Sequence, residues 1–207
     1  MPRSKSSNEW LRRHVNDPFV KQAQVDGYRS RSAYKLVELN EKDRLIKPGM
    51  RILDLGSAPG GWSQVAGRLV GRKGRVLATD ILPMDRVPNV DFIQGDFTDD
   101  KIIEQLLGWL DGGKFDLIIS DIAPNLSGID SADQAGSMYL LELALDSVKK
   151  MLKPGASFAA KMFQGSGSDE YVKELRKSFE KVLIRKPQAS RKESREVYIV
   201  AKGFKGQ

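Results

Sequence analysis

The chain has 207 residues, 40% hydrophobic and 29% charged, which is enough apolar material for one globular core. It has no cysteine and a single histidine, His14, so disulfides, thiolate chemistry and zinc fingers are excluded. No stretch approaches the ~18 apolar residues of a membrane span, and the basic N-terminus lacks the apolar run of a secretory signal. A monomeric cytoplasmic protein with no membrane partner is expected. The net charge of +7 is unevenly spread: +5 over residues 1–47, −7 over 48–148 and +9 over 149–207. Two basic ends flanking an acidic middle favour a polyanionic partner, by attraction and counterion release.

Residues 1–29 are polar and basic with few apolar anchors, and they read as a partly disordered segment ahead of a single domain over 30–207. Within Ser30–Lys42 a Ser/Arg-rich start followed by Ala33, Leu36, Val37 and Asn40 predicts a capped helix. Strands are expected at Arg51–Leu55, Arg75–Asp80, Val90–Gln94, Asp116–Ser120, Ser157–Phe163, Val182–Arg185 and Glu196–Lys202. Helices are expected at Trp62–Val70, Asp100–Leu110, about Asp133–Leu152 and Asp169–Ser178. Strands alternating with helices imply βαβ units and a parallel sheet covered on both faces. The last two strands are separated only by KPQASRKESR, which has no helical period. They should form a hairpin, with the final strand antiparallel.

The strongest local motif is DLGSAPGGW, Asp54 to Trp62, between the first strand and a helix. Gly56, Gly60 and Gly61 let the backbone turn sharply and approach a ligand at the carboxyl edge of the sheet. The spacing is neither the GxGxxG dinucleotide fingerprint nor a Walker loop. Asp80 ends the second strand, where a carboxylate can accept bonds from both hydroxyls of an adenosine ribose. Asp96 follows the third strand and could meet an adenine amino group, or could simply form a turn. Successive strand ends presenting a glycine loop, Asp and Asp describe an S-adenosylmethionine pocket better than a nicotinamide one.

Asp121 ends the fourth strand, opposite the glycine loop. Lys161 lies inside the apolar fifth strand, on the face of Ala159 and Phe163; it must be paired there or escape to water at the strand end. An antiparallel last strand beside the fifth would return Glu196 to the same edge. Two carboxylates near one lysine make a tuned site or an ion-pair network.

With SRSAYKL upstream, the ordered motifs DLGSAPGGW, SDIAPNLSG, AAKMFQG and SREVY resemble the RrmJ/FtsJ ribosomal RNA 2′-O-methyltransferases, from about Ser30 to Lys202. The resemblance implies a Rossmann-like methyltransferase fold, an α/β protein with a seven-stranded, mostly parallel sheet. It implies a catalytic set of Lys35, Asp121, Lys161 and Glu196, and cofactor contacts at Gly60, Trp62, Asp80, Asp96 and Asp121, beside the ligand approach read at Gly56. S-adenosyl-L-methionine would be the cofactor, and no metal is called for. The implied substrate is a uridine in the A loop of 23S rRNA within the large ribosomal subunit. A tRNA anticodon-loop 2′-O-methyltransferase and a non-catalytic ribosome-assembly factor are the alternatives. Lys161 is assigned as base, although a free lysine, with a pKa of ~10.4, must lose its proton first. Arg12, Arg13, Lys21, Arg29 and Arg31, with Lys186, Arg191, Lys192 and Arg195, are the expected RNA-facing cations, and His14 a surface residue.

Overall fold

The computed structural model describes residues 17–124, 128 and 130–206. Seven strands form one sheet: β1 (Arg51–Leu55), β2 (Arg75–Asp80), β3 (Val90–Gln94), β4 (Phe115–Ser120), β5 (Leu152–Phe163), β6 (Phe179–Arg185) and β7 (Glu196–Phe204). Their order is β3-β2-β1-β4-β5-β7-β6. β1 to β5 pair in parallel, and β7 runs antiparallel to both β5 and β6. The hairpin expected at the C-terminal end is therefore present, with its second strand wedged between β5 and β6.

Six helices are found among the described residues: α1 (Pro18–Val25), α2 (Ala33–Asp43), α3 (Gly61–Val70), α4 (Asp100–Trp109), α5 (Asp130–Met151) and α6 (Ser168–Ser178). Strand alternation sorts the apolar side chains into two layers. Ile52, Val76, Leu117, Ile119, Ala159, Tyr198 and Val200 pack with Leu36 and Leu39 of α2 and Trp62 and Val65 of α3. On the opposite face Leu53, Leu77, Ile118, Phe158 and Ile199 pack with Leu106 of α4, Leu145 of α5 and Leu175 of α6. Each fully buried Leu, Ile or Phe contributes roughly 1.5–3 kcal/mol against exposure, so both layers are needed to hold so wide a sheet.

α1 lies within the basic segment ahead of the domain, over residues 18–25. Asp17 caps it, accepting from the Phe19 N–H at 3.0 Å, and Pro18 sits in its first turn. An ion pair from Asp17 to Arg31 and a bond from the Tyr34 hydroxyl to Asp26 (2.6 Å) anchor it to α2. The predicted serine cap of α2 is absent: Ser32 occupies the position without a side-chain cap bond, and its hydroxyl meets that of Ser30 at 2.7 Å. At the other end of α2, Asp43 takes two bonds from Arg185, which fastens the helix to β6.

Candidate active site

Chain order reverses between β1 and β4, and at such a switch point the loops leaving the two strands part and open a crevice. The glycine loop leaves β1 here. Gly56 and Gly60 have φ of +68° and +106°, and a Cβ on Gly56 would stand 2.8 Å from Ile122 in the facing loop. Both positions therefore require glycine. Asp54, Gly56, Ser57, Pro59, Trp62 and Asp121 line a small cavity of about 30 Å³ at this point. Clefts of about 550 and 580 Å³ lie along α2 and α5; none of the expected catalytic or cofactor residues lines them, though Lys186 lines the first and Arg195 the second.

The acidic strand ends are in place and partly engaged. Asp80 accepts from the backbone N–H groups of Ala58 and Leu82, each at 2.8 Å, tying the glycine loop to the end of β2. Asp96 is exposed and holds the Thr98 N–H and hydroxyl, the turn-forming role open to an aspartate at a strand end. The Trp62 ring is only 2% exposed and its indole N–H donates to the Ser32 carbonyl at 2.9 Å. It offers the crevice a wall rather than a polar group.

Asp54 was quoted in the motif but not singled out as a site residue. It is buried, with Oδ2 accepting from the Ser63 hydroxyl at 2.6 Å and Oδ1 unpartnered. Burial pushes its carboxyl up to about 7; Ser63 opposes the rise, while the nearby Asp121 and Asp80 reinforce it.

β4, β5, β7 and α2 converge on the other half of the site. Lys161 Nζ donates to the Asp121 carbonyl at 2.6 Å and lies 3.2 Å from Asp121 Oδ1. The Tyr198 hydroxyl donates to the same Oδ1 at 2.6 Å. Lys35, on the buried face of α2, pairs with Glu196 Oε1 at 2.7 Å, and the Ser190 hydroxyl donates to that oxygen at 2.8 Å. The Lys35 ammonium stands 5.6 Å from the centre of the Tyr198 ring. Both lysines are 9% exposed, so their pairing matters: a lone buried ammonium is costly.

Burial pushes the Glu196 carboxyl up, but Lys35, Ser190 and the field of Lys161 outweigh it and hold the group below the usual carboxylate range. Burial, then Asp121 and Glu196, drive the Tyr198 phenol well above its ordinary value, so it stays a hydrogen-bond donor. The structure thus brings Lys35, Asp121, Lys161 and Glu196 together as two ion pairs flanking one tyrosine. The sequence motifs assign Tyr198 no role, although its place two positions beyond Glu196 on a strand puts it on the same face. Among the described residues no group of three or more His, Asp or Glu side chains is arranged to hold a metal ion.

A mostly parallel α/β sheet with a reversed last strand, a glycine loop at its switch point and acidic strand ends has the architecture of a Rossmann-like methyltransferase. The profile of the FtsJ-like methyltransferase family matches residues 28–204, and the chain belongs to that family. It is 69% identical over 206 residues to a protein of Stutzerimonas stutzeri named ribosomal RNA large subunit methyltransferase E, covering 100% of both chains. A protein of the same name from Marinobacter nauticus is 66% identical over 205 residues, covering 99% of each. A crystal structure of a ribosomal RNA methyltransferase from Plasmodium falciparum superposes with a TM-score of 0.79 at 34% identity, over 87% of this chain and 100% of the other.

Proposed function

We propose that this enzyme methylates the 2′-hydroxyl of a ribose, that of a uridine in the A loop of 23S rRNA, within the large ribosomal subunit. The observation that carries the reading is the pair of buried lysines, Lys35 on α2 and Lys161 on β5, each held by a carboxylate from a strand end. The names of the relatives support the large-subunit substrate. The protein would act as a cytoplasmic monomer, residues 30–207 forming the catalytic domain and the basic segment before them adding to the RNA surface.

S-adenosylmethionine fits the crevice chemically. It would lie against the chain's backbone at the glycine turn, its ribose and adenine against Asp80 and Asp96, and its amino-acid end near Asp121, with Trp62 closing the pocket. When bound, this cofactor supplies a methyl group activated by a sulfonium. The chain's own residues then position the hydroxyl and manage its proton. Lys161 takes that proton at Nζ, which requires the amine to have given one up beforehand. Asp121 orients Lys161 and is itself fixed by Tyr198. Lys35 and Glu196 align the ribose and keep the site close to neutral.

The test is methyl transfer from labelled S-adenosylmethionine to hypomodified large subunits and, in parallel, to bulk tRNA, with the modified nucleoside identified. The expected product is 2′-O-methyluridine in the large subunit alone. Label confined to tRNA moves the substrate to the anticodon-loop alternative, and cofactor binding without label in either RNA favours an assembly factor. Lys161→Ala should abolish turnover while cofactor affinity stays near wild type; robust turnover in this variant would overturn the assignment of Lys161.

A further inference from the structure

Arg29 belongs to the basic stretch expected to meet RNA, yet its guanidinium is directed inward at the backbone. Nη1 donates to the carbonyls of Pro59 at 3.0 Å and Asp85 at 2.7 Å, and Nη2 donates to that of Arg86 at 2.8 Å. Three of the five guanidinium N–H groups are thus committed, which leaves two for any phosphate. The accepting carbonyls belong to two loops: the glycine turn after β1 and the connection after β2. The first carries Gly56 and Gly60, the second leaves β2 at Asp80, and between them lies the cradle assigned above to the cofactor.

The approach of Arg29 is fixed from behind. Its own N–H donates to Gln64 Oε1 at 2.8 Å, while Gln64 Nε2 donates to the Gly27 carbonyl at 3.0 Å. The segment is thereby docked on the first turn of α3, which starts from the same glycine turn. Gly60 leaves room for the guanidinium: a Cβ there would lie 2.9 Å from Nη1. The Ala58 N–H to Asp80 bond joins the two loops at their bases, and Arg29 joins them further along.

We propose that Arg29 is a positioning residue for the cofactor, a clamp that ties the turn after β1 to the loop after β2 and sets the width of the cradle between them. The inference rests on reading that cradle as the S-adenosylmethionine site. A planar fork of donors is what the geometry uses; an ammonium is a single point and does not span three carbonyls in two loops.

The experiment uses the full chain without RNA. Arg29→Ala and Arg29→Lys are compared with wild type for S-adenosylmethionine affinity by calorimetry, and for amide exchange over residues 58–61 and 84–87 with no ligand present. Both variants should bind the cofactor roughly tenfold more weakly, as loss of charge-assisted bonds implies, and exchange faster in both segments. Should the alanine variant fail to fold, the lysine variant, which retains the charge, decides alone. Wild-type affinity and wild-type exchange in the folded variants would overturn the clamp, whatever happens to RNA binding. If wild type binds no S-adenosylmethionine, the cofactor reading fails, and loop exchange still decides whether Arg29 ties the loops.

Discussion

The most deeply buried carboxyl of the site, Asp54, is also the least satisfied, with one oxygen unpartnered and its proton affinity raised to about 7. Because the folded protein holds this proton more tightly than the unfolded chain, whose ordinary value is 3.8, the group adds no cost at pH below that value. As pH rises from 4 to 7 the fold must increasingly accept a desolvated charge. Asp54→Asn should therefore stabilise the protein at pH 8 relative to pH 4, by at most about 4 kcal/mol, as read from urea unfolding at the two pH values. An equal effect at both would show that Asp54 is not titrating. Tyr198→Phe removes the hydroxyl that bonds Asp121; kcat should fall about tenfold with little change in cofactor KM, because Lys161 then has a less fixed partner. The sequence order of Lys161, Asp121 and Glu196 was enough to anticipate their convergence, since strand alternation and one antiparallel pairing fix all three. The strand pattern alone does not fix the pairing of Lys35 with Glu196. That depends on α2 delivering Lys35 to Glu196, and on the depth of each strand end. Nor does a basic run announce that Arg29 and Arg31 bond inward, Arg31 to Asp17 and the Ala189 carbonyl.

Among the elements, the three strands from β1 to β3 coincide with the expected ranges, because short apolar runs between turn residues have few other ways to be buried. β5 begins at Leu152, ahead of the expected Ser157: Leu152 already pairs with Phe115 of β4, and a register shift through Gly155, at φ +79°, separates that pair from the regular ladder that starts at Ser157. α1 was missed for a different reason. It buries only Ala23, so the hydrophobic period that marks other helices is almost silent, and the Asp17-Pro18 start signal stood alone. Such a helix is held by its polar attachments. Asp17→Ala removes both the cap and the Arg31 pair and should speed amide exchange over residues 18–25 by an amount matching about 1–2 kcal/mol of local stability. The global denaturation midpoint should barely move. Asp17→Asn, which can still cap, should lie between the variant and wild type; if all three exchange alike, the cap is not what holds α1.

At the scale of the whole molecule the charge is polarised along the chain, and the fold decides which cations remain available. Lys186 donates to the carbonyls of Ser194 and Glu196, and Arg195 lies 3.5 Å from Asp130, whereas Lys21 and Lys192 are exposed. Arg12 and Arg13 lie outside the described residues. If about five phosphates are neutralised in all, affinity for single-stranded target RNA should drop about 100-fold between 50 and 200 mM salt, as measured by filter binding. A flat salt response would rule out an electrostatic docking surface. β7 has a consequence on another axis, that of time. It is the last of the seven strands to be synthesised, it fills the gap between β5 and β6, and it carries Glu196 and Tyr198 to Lys35 and Asp121. A nascent chain still on the ribosome can form β1 to β5 and the glycine turn, yet it holds Lys35 without Glu196 and Asp121 without the Tyr198 hydroxyl. Methyl transfer therefore waits until β7 has left the ribosome and docked between β5 and β6.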